Sequence, residues 1–499
     1  MIKPRQDLTA NTADFENIPF VKPTGFREYD ARWILDKEIN LLGIQALGLG
    51  LATYVHEIGV QPRIVVGHDY RSYSLMVKQA LILGLLEGGM EVLDIGLALS
   101  PMAYFGQFAL NAPCVAMVTA SHNENGWTGV KMGANPPVTF GPDEIGRLKE
   151  IVLGGLGVSR PGGRVERIEN FKERYLKEVV GDIKLSRPLK VIAACGNGTA
   201  GEFAPDALRL MGAEVIEMDC DLDYTFPKYN PNPEDHEMLV SMADRLRETG
   251  ADLALGFDGD GDRCGVVDDS GEEIFADKIG LLLARDLSAL HKDATFVVDV
   301  KSTGLYKTDE VLKANGATTV YWKTGHSYIK RKTAELGALA GFEKSGHFFL
   351  ANPIGRGYDD GLVAAAAVLQ MMDRNPGKSL SELKTALPDA WTSLTMSPHC
   401  DDEIKYDVLA KIVAEYEKLA AEGGSILGRK ILEVITVNGA RVHLEDGSWV
   451  LVRASSNKPE LVVVVESMRS EDDMRALFRE EVKPRLAAHP EVGAYNQQI

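Results

Sequence analysis

Short apolar runs alternate with longer segments in which apolar residues recur every three or four positions, the pattern of strands interleaved with amphipathic helices. One order of parts, strand, turn, helix, glycine and strand, occurs three times. It runs from Arg63-Ile-Val-Val to Gly89-Met-Glu-Val-Leu-Asp94, from Val191-Ile-Ala-Ala to Gly212-Ala-Glu-Val-Ile-Glu217, and from Phe296-Val-Val-Asp-Val300 to Gly316-Ala-Thr-Thr-Val-Tyr321. Two short strands joined through a helix predict parallel pairing. After each unit a further apolar segment enters a polar, glycine-bearing loop: residues 115–122, 253–260 and 338–346. Ligands of open α/β sheets bind beyond the carboxyl ends of the strands, so these three loops are where chemistry is expected. From about Asp389 the pattern changes to a helix over 402–421 and close strands over 431–437, 440–444, 449–453 and 461–466, with a turn at 445–448. That spacing predicts an antiparallel α+β domain. The reading is thus an α/β protein of four domains, at 1–165, 166–275, 276–388 and 389–499, the first three similar and built on mixed sheets.

Composition narrows the roles open to the chain. The net charge of −18 gives no general attraction for phosphate backbones or anionic lipid, so neither nucleic acid nor a membrane surface is an expected partner. The longest apolar run, residues 361–372, is broken by Gln370 and is too short to span a bilayer. No apolar signal segment opens the chain, and the cytoplasm is the expected location. The five cysteines are scattered and lack the spacing of a disulfide framework or zinc site, and read as mostly small buried hydrophobes.

The sharpest local signal is Asp258-Gly-Asp260-Gly-Asp262-Arg263. Alternate residues of an extended loop point the same way, so three carboxylates can converge on one hard cation while the glycines allow tight bending. An EF-hand is excluded because Arg263 stands where that loop needs Gly and Asp269 where it needs Glu, and Mg²⁺ is the expected ion. Thr119-Ala-Ser121-His122-Asn123, with Lys131 following, places a hydroxyl just past a strand beside basic residues, where it could serve as a nucleophile or as a simple turn cap. Glu343 and Ser345, separated by one residue, can face the same way and hydrogen-bond adjacent sugar hydroxyls, and Arg453 with Ser455, Ser456 and Asn457 suits a phosphate, Arg453 being equally readable as a surface residue at a strand end. Gly196-Asn-Gly198-Thr-Ala-Gly201 opens a helix after a strand, with Glu217 and Asp219 about twenty residues on, as a dinucleotide fingerprint requires. Neither other repeat has these glycines, and a tight turn with close helix packing is the favoured reading; a nucleotide-dependent oxidoreductase is the rival.

Together the motifs resemble the α-D-phosphohexomutase family, in the right order over nearly the whole chain. The active-serine loop is similar to residues 119–123 with Lys131, the metal loop to 258–263, the sugar loop to 343–347 and the phosphate loop to 453–459. Phe26-Arg-Glu-Tyr-Asp-Ala-Arg32, Pro231-Asn-Pro233, Lys301 and Thr324-Gly-His326-Ser327 match further. The resemblance implies a heart-shaped arrangement of the four domains and the phosphomannomutase/phosphoglucomutase branch, with a phosphoglucosamine mutase as the alternative within the family. The chain departs from the common pattern at Lys344, Phe342, Glu124, Trp33 and the Val462–Val465 run.

By that resemblance the protein interconverts hexose 6-phosphate and hexose 1-phosphate, with Mg²⁺, a phosphoserine at Ser121 and hexose 1,6-bisphosphate as intermediate and activator. Ser121 joins Asp258, Asp260 and Asp262 at the metal, and Arg263 neutralises the transferring group. Glu343 and Ser345 hold the sugar, Arg453, Ser455, Ser456 and Asn457 the distal phosphate, and Tyr29, Arg32, His122, Lys301 and His347 contribute to substrate binding. His326 and Lys131 are the candidates for proton transfer, since burial among cations would lower both pKa values. The implied partners are small hexose phosphates, and the implied assembly is a monomer or homodimer.

Overall fold

A computed structural model describes residues 3–455, 458–497 and 499. The chain forms two compact units, Met1–Ala276 with Ser345–Ser381, and Asp277–Lys344 with Glu382–Ile499. The parallel pairing expected of the three repeats is present in each. Arg63–His68 pairs with Glu91–Leu97 and with Cys114–Val118, Lys190–Ala194 with Glu214–Met218 and with Leu253–Phe257, and Thr295–Asp299 with Thr318–Trp322 and Ala340–Phe342. The central strands are buried throughout, which is why they read as unbroken apolar runs instead of alternating ones.

In the first unit, two mixed sheets add antiparallel edges to these parallel cores. Trp127–Ala134 folds back on Cys114–Val118, and Cys264–Asp268 folds back on Leu253–Phe257. Both reversals place a loop at the carboxyl end of a buried strand, and these are the serine and aspartate loops. Helix Leu41–Glu57 packs on helix Ser74–Glu87 closely enough that a side chain at Gly84 would strike the helix opposite. Helix Gly361–Arg374 belongs to this unit and packs on helices Phe171–Val180 and Ala204–Met211. Asp360 caps its start, accepting from the Leu362 and Val363 amides at 2.9 and 3.1 Å.

The second unit carries the third parallel core and, beyond it, the antiparallel domain. Arg429–Ile435, Ala440–Leu444, Trp449–Ala454 and Leu461–Ser467 pair in sequence, with helix Lys405–Ala421 against them. Trp449 is buried, and its indole donates to Glu466 at 2.8 Å. All five cysteines are buried and free, as expected. Among the described residues, no helix is long and apolar enough to cross a membrane.

Candidate active site

Ser121 follows the buried strand Cys114–Val118 and adopts φ +53°, a left-handed conformation that costs a non-glycine residue about 1–2 kcal/mol. The surroundings impose it. The Ser121 amide donates to Thr119 Oγ1 at 2.8 Å, and the Arg71 guanidinium donates to the carbonyls of Ser121 and Asn123 at 2.9 and 2.7 Å. Arg71 is ion-paired with Asp69, both almost fully buried, and the Asp69 carboxylate also accepts from Ser74 Oγ at 2.5 Å and Thr119 Oγ1 at 2.9 Å. Asp69 and Arg71 were not singled out in the sequence, yet they stand just past the carboxyl end of Arg63–His68, the strand beside the one that leads into the serine loop.

The aspartate loop lies against this serine. Asp258, Asp260 and Asp262 are fully buried, and one carboxylate oxygen from each lies within 4.8 Å of the others. Ser121 Oγ donates to Asp258 Oδ2 at 3.2 Å and is 3.2 Å from His122 Nδ1. Lys131, on the strand Trp127–Ala134, donates to Asp260 Oδ2 at 2.7 Å and to Asp262 Oδ2, while Ser100 Oγ donates to Asp260 Oδ2 at 2.6 Å. Asp260 Oδ1 is buried without a hydrogen-bond partner among the described residues. Three buried carboxylates converging with an oxygen left over are the donor set of a hard divalent cation such as Mg²⁺. Asp262 and His347 form a second group with Asp359, His347 Nε2 lying 3.4 Å from Asp262 Oδ1.

Electrostatics in the site follow from this crowding. Burial, with Asp260 and Asp262 close by, pushes the Asp258 carboxyl well above the usual range. Asp262 is driven the other way: burial opposes its ionisation, but Lys131 and His347 hold it well below the usual range. The expected lowering of Lys131 is corrected. Burial does favour its neutral form, but contact with Asp260 and Asp262 outweighs that and holds the ammonium well above its usual value. His122 is depressed well below its usual value, first by Arg263 and then by burial, so its imidazole is neutral near pH 7.

The remaining predicted residues fall in both units. In the first, Arg32 is paired with Asp30 at 2.7 Å and donates to Asn123 Oδ1 at 2.7 Å, which brings it to the serine loop; Tyr29 is half-buried just before it. The Arg263 amide donates to Asp258 Oδ1 at 3.2 Å, and its guanidinium reaches Glu234 at 3.3 Å. Ser345 Oγ and His347 Nδ1 are 3.0 Å apart. In the second unit, Glu343 Oε1 accepts from the Gly325 amide at 3.1 Å, which sets it beside His326 at the start of helix His326–Leu336. Lys301 follows the strand Thr295–Asp299, half-buried. Arg453 is the penultimate residue of the strand Trp449–Ala454, and Ser455 is buried just beyond, its carbonyl accepting from Lys405 Nζ at 2.7 Å. Buried Lys405 was not anticipated, since a lysine in the first turn of an amphipathic helix carries no local signal. Ser456 and Asn457 lie outside the described residues.

The glycine fingerprint at 196–201 proves to be packing. A Cβ at Gly201 would collide with the Cys220 carbonyl, and Gly196 has φ +52° with Pro231 against it. The acidic partners a dinucleotide would require are engaged, Glu217 with Arg209 and Asp219 with Lys228 and Tyr229.

Residues 23–155, 173–271 and 275–391 match phosphoglucomutase/phosphomannomutase alpha/beta/alpha domains I, II and III, and residues 400–483 match the C-terminal domain of the same family. A phosphomannomutase/phosphoglucomutase of Pseudomonas putida is 33% identical over 442 residues, 89% of this chain and 91% of its own. A phosphoglucomutase of Neisseria meningitidis is 32% identical over 446 residues, 89% of this chain and 92% of its own. A crystal structure of a phosphoglucomutase/phosphomannomutase family protein from Burkholderia thailandensis superposes with a TM-score of 0.85 at 28% identity, covering 95% of this chain and 99% of that one. The chain therefore belongs to the phosphoglucomutase/phosphomannomutase family and is a mutase, an isomerase by class.

Proposed function

We propose that this mutase interconverts hexose 6-phosphates and hexose 1-phosphates of the glucose and mannose series, carrying the phosphoryl group on Ser121 and passing through a hexose 1,6-bisphosphate. The observation that carries this reading is the Ser121 hydroxyl held in a strained turn 3.2 Å from Asp258, within a buried cluster of three aspartates and Lys131. Asp258, Asp260 and Asp262 would hold a divalent cation, which when bound supplies charge neutralisation for the transferring phosphoryl group.

Around that centre, the chain's own groups divide the work. The bond between phosphorus and Ser121 Oγ breaks as one forms to the free sugar hydroxyl, whose proton passes to a base. Lys131 is engaged by two carboxylates and raised in pKa, which suits it to act as a fixed positive charge near the phosphoryl group; that assigns the proton to His326. On return, the other phosphate of the bisphosphate is transferred back to Ser121, and the released hydroxyl regains a proton. Arg263 offsets charge on the moving group, Arg32 and neutral His122 border it, and Glu343 and Ser345 hold adjacent sugar hydroxyls. Arg453 and Ser455, with Ser456 and Asn457, anchor the distal phosphate, and Lys301, His347 and Tyr29 complete the contacts.

Peptide mass mapping before and after incubation with glucose 1,6-bisphosphate and Mg²⁺ tests the reading. Phosphate is expected on the Ser121 peptide, removable by excess hexose monophosphate, and Ser121→Ala is expected to lose bisphosphate-dependent turnover. An unmodified Ser121 in both samples, or substantial turnover by the alanine variant, would refute it.

A further inference from the structure

Away from the serine and aspartate loops, the first unit contains a cavity of about 740 Å³ between helix Ser100–Ala109, helix Phe171–Val180 and the loop preceding helix Gly361–Arg374. Its volume lies in the range of small-molecule sites, about 300–1,000 Å³. Its walls combine cations with aromatic faces. Arg356 lies 5.0 Å over the Phe108 ring, and Arg174 and Lys177 stand on the helix opposite.

Charge on this wall is not balanced from within. Arg356 is ion-paired with Glu178 at 2.5 Å, but Arg174, which lies 5.2 Å over the Phe171 ring and donates to the Ala109 carbonyl at 3.0 Å, and Lys177, both exposed, have no carboxylate partner among the described residues. The other acid in the lining, Asp360, already accepts from two helix amides and from Tyr175 Oη. On a chain of net charge −18, two cations without carboxylate partners at one cavity mark a place for an anion. Arginine and lysine are suited to phosphate, and the planar Arg356 guanidinium, laid over Phe108, offers its outer face to a flat ring.

We propose that this cavity is an effector site for a mononucleotide, its phosphate on Arg174 and Lys177 and its base against Phe108 and Arg356. The floor of the cavity is continuous with the catalytic loop. Tyr358 and Asp360 line it, whereas Asp359 between them joins the group with Asp262 and His347. The Gly361 amide donates to the Gly261 carbonyl at 3.1 Å, and a Cβ at Gly361 would lie 2.6 Å from the Arg263 carbonyl. An occupant that shifts this segment shifts the aspartate loop with it. The effector role rests on the function proposed above; the binding does not.

Calorimetric titration of the full-length protein with AMP, GMP, CMP and UMP, in the presence of saturating glucose 1,6-bisphosphate, is the test. At least one is expected to bind with one-to-one stoichiometry, and the double variant Arg174→Gln/Lys177→Gln is expected to bind it about a hundredfold or more weakly, the loss anticipated for two charge-assisted hydrogen bonds, with mutase activity in the absence of nucleotide retained. The wild-type mutase rate should change with the same midpoint as binding. Binding of none of the four, displacement by the bisphosphate, an unaffected double variant, or equal competition by inorganic phosphate would overturn the nucleotide site. Binding with an unchanged mutase rate would overturn the effector role.

Discussion

Arg71→Leu is the sharpest probe of how the nucleophile is positioned. The substitution retains an apolar body but strands Asp69, which is fully buried, without its counter-charge. Removing one partner of a buried pair costs about 3–5 kcal/mol. The Ser74 and Thr119 hydroxyls still donate to Asp69, so the lower end, about 3 kcal/mol, is expected here. In calorimetry, a domain of this size should lose about 6–12 °C from the transition of its first sheet, at about 2–4 °C per kcal/mol. Catalysis should fall as well, because the carbonyls of Ser121 and Asn123 lose the donor that holds the left-handed turn. Relaxation of strain worth about 1–2 kcal/mol corresponds to a kcat lowered about 5–30-fold, measured well below the unfolding transition, with KM little changed. Arg71→Lys restores the charge but not the planar fork that reaches Asp69 and both carbonyls at once, so it should recover stability more than kcat. A leucine variant that is destabilised yet turns over at the wild-type rate would refute the positioning argument.

Three further outcomes follow from single sites. Asp260→Asn removes one of the three converging carboxylates, so Mg²⁺ should stabilise the variant against heat far less than it stabilises the wild type; equal stabilisation would place the cation elsewhere. Burial opposes ionisation of Glu466, but Lys278, Thr392 and the Gly304 amide outweigh it and bring the carboxyl from its usual 4.5 down to about 2. A depressed carboxyl contributes stability above its unfolded pKa and loses it as pH falls, so about 3 kcal/mol should disappear between about pH 4.5 and pH 2. Urea titrations over that range should show a slope that Glu466→Gln flattens, and an unchanged slope would count against the pairing. Gly201→Ala drives a methyl into the Cys220 carbonyl and should lower stability without altering any response to NADH, whereas a wild-type melting temperature would contradict the packing role of that glycine.

Much of this protein was legible in one dimension because its chemistry is local. The three repeats announce themselves through buried parallel strands, whose apolar runs need no partner to be recognised, and Asp258, Asp260 and Asp262 lie within five residues of one loop, whose turn, closed by the Gly261 amide on the Asp258 carbonyl at 3.1 Å, brings their carboxylates together. The antiparallel domain was legible for the same reason, through short strands and a tight turn at 445–448. The tertiary structure alone decided the electrostatics. Lys131 is 129 residues from Asp260, and only their contact turns an expected lowering of its pKa into a raising. Asp69 and Arg71 read as a polar strand end until Ser121, fifty residues on, is placed against the arginine. Likewise Arg174, Lys177 and Arg356 are ordinary surface cations in sequence, and the folding of two distant segments around one cavity gives them a common purpose. A carboxylate or ammonium takes its energy from the charges within a few ångströms and from the water it has lost, and both are set by which segments the fold brings together.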